Sequence, residues 1–172
     1  MNTITSELNT EELFASLDET WSIFVDLISS ADTNAINTIP FKDCWTIAQV
    51  TIHVTKSNKA IMQALNMEGK PAERDPEATV PNLKKIFLDF DAKFQSPDFI
   101  VPEKGIYNKE EIIESLKRSL EQLQELRNKV NLTEIISLPI FGEITKLELL
   151  HFVLYHTTRH IHQLKNIIKK LN

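Results

Sequence analysis

Across 172 residues the chain carries one cysteine and three glycines. No apolar run approaches the ~20 residues that a membrane helix needs. Each shortage excludes something. With Cys44 alone no intramolecular disulfide can form, and a reducing compartment is the simplest expectation. The opening "MNTITSELNTEELF" lacks the basic start and apolar stretch of a secretion signal, so a cytoplasmic protein with no membrane association is expected. Basic residues are the minority, 19 Lys and Arg against 24 Asp and Glu, for a net charge of -5. That balance favours solubility and opposes broad attraction to nucleic acid or anionic lipid.

What is present is ordinary for a soluble globular chain: 42% hydrophobic and 25% charged residues. The length suits one domain, residues 1–172, with a sizeable core. Scarce glycine and apolar spacings of three and four predict a chain dominated by helices. The first helix is expected from about Glu11 to Ser30 behind Thr10 as N-cap, with Phe14, Leu17, Trp21, Phe24 and Ile28 inward. A polar connection with Pro40 leads to a second helix that opens on a Thr46/Gln49 capping box. Its inner stripe is Ile47, Val50, Val54, Ile61 and Leu65.

Residues 67–107 hold five of the seven prolines and cannot be one helix. They read as a long crossover in which Leu83, Ile86, Phe87, Phe90 and Phe94 mark one short extra helix. A third long helix starts after Asn108, with Ile113, Leu116, Leu120, Leu123 and Val130 inward. Pro139 and Gly142 then allow an extended piece or hairpin. A fourth helix follows a Thr145/Glu148 capping box and ends in Lys165, Lys169 and Lys170, which suit the negative end of a helix dipole. Four long amphipathic helices and a crossover predict an all-α four-helix bundle.

Three of the five histidines lie in "YHTTRHIHQLKNI", residues 155–167. His156 and His160 fall about 40° apart on the buried stripe, one turn from each other, so both imidazoles can reach one metal ion. Thr157 follows His156, so the glutamate of the HExxH protease motif is missing. The pair alone also suits two hydrogen-bonded core histidines. His53 lies on the inner side of another helix, and three inward imidazoles form a zinc-type site with one open position. The competing reading is that His53 satisfies a buried polar group.

His151 and His162 point away from that site. Gln163 is placed to orient His160, or to sit as a boundary amide. Arg159 suits a solvated or ion-paired role, or a grip on an anionic substrate group at a pocket mouth. Cys44 lies too far along the helix axis to be a ligand. Trp45 suits a hydrophobic staple at the helix start better than a wall of the site.

"WTIAQVTIH", residues 45–53, and "HTTRHIHQL", residues 156–164, together resemble the DinB/YfiT-like superfamily of metal-dependent enzymes. Its members share W-[ST]-x2-[EQ]-[IVL]-x2-H on the second helix and H-x3-H-x2-Q-[IL] on the last. The resemblance implies a four-helix bundle of unusual connection, with a divalent metal, zinc or nickel, held by His53, His156 and His160. It also implies a small-molecule substrate. Some relatives are thiol S-transferases that use a low-molecular-weight thiol; metal-assisted hydrolysis and a non-catalytic, stress-related metal-binding bundle are the alternatives. A homodimer is expected from the resemblance alone.

Overall fold

The computed structural model describes residues 10–172. Its long helices are α1 (Thr10–Ser30), α2 (Ile47–Leu65), α4 (Lys109–Arg127) and α5 (Lys146–Leu171), with the short α3 (Val80–Phe87) between α2 and α4. Each of α2 and α5 starts with a complete capping box. Gln49 N–H donates to Thr46 Oγ1, and Thr46 N–H returns to Gln49 Oε1. Glu148 N–H donates to Thr145 Oγ1, and Thr145 N–H donates to Glu148 Oε2. Two of the free N–H groups at each helix start are thereby satisfied. At α4 the bond is one-way, from Glu111 N–H to Asn108 Oδ1.

The four long helices form the pairs α1–α4, α4–α2, α2–α5 and α5–α1. Consecutive helices α1 and α2 therefore face each other across a diagonal, as do α4 and α5. The crossover between α2 and α4 makes this possible, because α3 packs on α5 and the 3₁₀ turn Asp98–Ile100 packs on α2. Leu17, Phe24, Ile28, Leu65, Leu123 and Leu164 are among the fully enclosed side chains at the centre. No described helix is long and apolar enough to cross a membrane.

The stripes agree with the sequence except at their ends. In α1 Leu13 is buried and Phe14 only partly, since Phe14 lies under the Arg127 guanidinium at 4.4 Å. Thr10 is itself helical and so does not cap α1; the residue before it lies outside the described residues. In α4 Ile112, not Ile113, is buried, and Val130 lies past the helix end. The crossover helix stops at Phe87, short of Phe90 and Phe94. There Asp89 Oδ1 accepts from the N–H groups of Asp91 and Ala92, a side-chain turn that competes with further helix.

The expected hairpin is β2 (Glu134–Leu138) and β3 (Gly142–Thr145), with β1 (Lys70–Pro71) added antiparallel on β2. Gly142 sits at φ 67, which a side chain would resist, and closes the turn. The hairpin delivers the chain directly into α5. Glu148, with no side-chain exposure, accepts a two-pronged grip from Arg74 (2.8 Å to each oxygen) and a bond from Thr79 N–H at 2.8 Å. Thr145 Oγ1 donates to Pro76 O at 2.6 Å. The first half of the crossover is thereby tied to the start of α5.

Candidate metal centre

His53 stands in the middle of α2, and His156 and His160 stand one turn apart in the middle of α5. The packing of α2 on α5 turns all three inward, with exposures of 2%, 7% and 7%. His156 Nε2 lies 3.1 Å from His53 Nε2 and 3.1 Å from His160 Nε2. The three ring nitrogens all fall within 4.8 Å of one another.

The outer nitrogens fix the ring tautomers. His53 Nδ1–H donates to the Ile100 carbonyl at 3.0 Å, and His160 Nδ1–H donates to Gln163 Oε1 at 2.7 Å. In neutral rings the Nε2 atoms of His53 and His160 are then bare lone pairs. His156 Nε2 can carry at most one proton, and that proton can satisfy only one of the two neighbours. A proton cannot reconcile three converging nitrogens, whereas a cation can. Donors around a tetrahedral zinc ion lie about 3.3 Å apart, from Zn–N bonds of about 2.0–2.1 Å, so the 3.1 Å separations suit such an ion.

The rings are held neutral. Burial pushes the His53 pKa down, against the opposing pull of the Ile100 carbonyl. Burial drives His160 to about 3, helped by His53 and Arg159 and opposed by Gln163. His156 is driven well below its ordinary value by burial first, then by His160, His53 and Arg159. Neutral imidazole is the form that ligates a metal.

Aromatic side chains wall the cluster. The Trp45 ring lies 4.8 Å from His53. Asp43, at φ 61, makes the turn that brings Trp45 there, a conformation Asp adopts more readily than most residues. Trp45 therefore walls the site, where the sequence favoured a staple. On the other side Phe152 stacks on His156 at 5.0 Å, and Phe87 meets both Phe152 (5.0 Å) and His156 (6.3 Å). Among the described residues no carboxylate or thiol joins the cluster.

The remaining candidates fall elsewhere. His151 contacts Glu77 at 3.0 Å, and His162 stacks on Phe90 at 4.2 Å. Cys44 is exposed. Arg159 donates to the carbonyls of Asp89 (2.6 Å) and Ala92 and lies 4.6 Å from the centre of the Phe94 ring. Sequence reasoning missed the Ile100 carbonyl, because a backbone oxygen from a crossover leaves no residue-type signal. It also missed two walls: Phe87 reads only as part of the short crossover helix, and Phe152 carries no motif that singles it out.

A family model for the DinB superfamily matches residues 16–164. The chain belongs to the DinB superfamily. Solved structures share the fold of this DinB-superfamily chain. TT2238, described as a four-helix bundle protein, aligns with a TM-score of 0.59 and 18% identity over 91% of this chain and 98% of its own. A conserved protein from Enterococcus faecalis aligns at 0.65 and 14% identity, over 94% and 96%. YfiT from Bacillus subtilis, described as a probable metal-dependent hydrolase with an unusual four-helix bundle topology, aligns at 0.62 and 13% identity, over 99% and 92%. No curated protein matches the chain in sequence. At these identities the structures establish the fold, and both DinB-type signature segments lie on the elements that carry the histidines.

Proposed function

We propose that this chain is a metal-dependent enzyme in which His53, His156 and His160 hold one divalent ion, zinc or nickel, and that it transfers a low-molecular-weight thiol to a small electrophile. The observation that carries the reading is the convergence of three neutral imidazole nitrogens, two with their tautomers fixed from outside. An ion held by three histidines keeps an open position, where it lowers the pKa of a bound thiol or water.

The chain's own residues do the rest. Ile100 and Gln163 hold two ligand rings in the productive tautomer, a role whose loss typically weakens metal affinity about 10–100-fold. Trp45, Phe87 and Phe152 keep bulk water from the rings. A thiol is favoured over water as nucleophile because hydrolysis calls for a group to move the water's proton, and no carboxylate joins the cluster among the described residues. Hydrolysis is the second reading, supported by the description of YfiT.

Metal analysis of protein purified without a histidine tag is expected to find one ion per chain, lost in His156→Ala and His160→Ala. The loaded protein is expected to consume electrophiles only when a low-molecular-weight thiol is added. A wild type that holds no ion after loading and dialysis overturns the metal reading. Ester cleavage without thiol selects hydrolysis instead.

A further inference from the structure

The protein has four arginines. Arg74 pairs with Glu148, Arg118 with Glu114 and Arg127 with Asp18. Arg159 pairs with no carboxylate among the described residues. The nearest acid, Asp89, offers it a backbone carbonyl while its carboxylate accepts from Asp91 and Ala92 N–H. A guanidinium has five N–H donors, and the carbonyls of Asp89 and Ala92 occupy only two of them. Three donors are left over, and the positive charge is offset only through space by the Asp89 carboxylate, which makes no ion pair with it.

The position of that charge is specific. Arg159 follows His156 by three residues and Phe152 precedes it by four, so both lie on the same side of His156 around α5, about 20° apart. The guanidinium rests on half-exposed Phe94, which contacts Phe87 at 5.9 Å, and Phe87 contacts His156. A row of touching aromatic rings thus runs from the Arg159 guanidinium to the histidine cluster. The protein as a whole carries a net charge of -5, so an anion approaching it needs a local reason to bind.

We propose that Arg159 anchors the carboxylate of a small organic anion, whose apolar body lies along Phe94, Phe87 and Phe152 toward the histidines. This rests on the metal-enzyme reading above and names the substrate class for it. A carboxylate matches the guanidinium fork: it can accept two parallel N–H bonds and brings a charge opposite to that of Arg159, which a neutral carbonyl does not. Arg159 is thus a specificity-determining residue.

The test uses benzoate and its neutral counterpart benzamide as probes, titrated by NMR into the zinc-loaded and the zinc-free protein. Benzoate is expected to bind at least tenfold more tightly than benzamide in both forms. Arg159→Gln should bring benzoate down to the benzamide level while leaving benzamide unchanged, and Arg159→Lys should keep part of the preference. The inference is overturned if neither probe binds, if wild type shows no preference, or if the preference survives in Arg159→Gln. Should Arg159→Gln also lose benzamide, Arg159→Lys decides: a retained preference supports the anchor and a lost one overturns it. A preference that persists in protein unable to hold zinc keeps Arg159 and sinks the metal reading; protein that holds zinc without the preference does the reverse.

Discussion

Two buried polar clusters stand on the same helix, and they are finished differently. At the start of α5, Glu148 is surrounded by donors: both Arg74 nitrogens, Thr79 N–H and Thr145 N–H. Burial alone would raise its carboxyl, but these partners outweigh it and hold the pKa below the ordinary value. Its charge is used up inside the protein. About two turns further on, His156 and His160, joined by His53 from α2, direct their ring nitrogens at one another, and no carboxylate joins them among the described residues. A cluster that serves only the fold closes its own account of donors and acceptors; one that leaves converging lone pairs is built for something that comes from outside.

Acidification should separate the clusters most widely. The histidine pKa values are lowered in the folded protein, so the unfolded chain binds more protons below about pH 6.5, and stability falls as pH drops from there. Each such group can contribute up to about 1.4 kcal/mol per pH unit. His151, also lowered by burial, adds to the same window. Glu148, lowered as a carboxylate, contributes stability that is complete above about pH 4.5 and lost as pH falls through its folded value. Urea unfolding of zinc-free protein at a series of pH values should therefore show two stages, and a single stage near pH 4 would contradict the neutral cluster.

Arg74→Met leaves the buried Glu148 carboxylate without its main partner. A loss of about 2–3 kcal/mol is expected, tempered by the partial exposure of Arg74, with zinc content unchanged. Denaturant midpoints and metal analysis of the same preparations check both halves. The smallest effect is expected for His156→Leu, which replaces a desolvated ring by an apolar side chain of comparable size. Zinc-free stability should stay within about 1 kcal/mol of wild type, and the loss near pH 6 should become shallower. A penalty as large as that of Arg74→Met would mean that the imidazoles stabilise one another and that the contrast between the clusters is false.

Much of this was legible in the chain. Both complete capping boxes were readable because their bonds join residues three apart. The α2 stripe of Ile47, Val50, Val54, Ile61 and Leu65 is buried as its period requires. His156 and His160 could be paired because helix geometry alone fixes their relation. Errors gathered where local rules compete. Phe90 and Phe94 continue the α3 periodicity, yet the Asp89 side chain turns the backbone out of helix first. The contact of Trp45 with His53 is not legible in the sequence, which favours a staple, because the turn at Asp43 that precedes it has no apolar pattern.

The sequence by itself determined which segments are helical, where two of them begin and which histidines face inward, since each depends on residues within a turn or two of one another. Only the tertiary structure decided that α1 and α2 lie diagonally, that His53 meets residues 103 and 107 positions away, and that the Ile100 carbonyl orients it. Those facts depend on how the crossover closes over α5 and α2, through bonds such as Arg74 to Glu148 and Lys56 to Val101 O, which join residues distant in the chain. Periodicity describes one helix at a time and carries no information about which face of which neighbour it will meet.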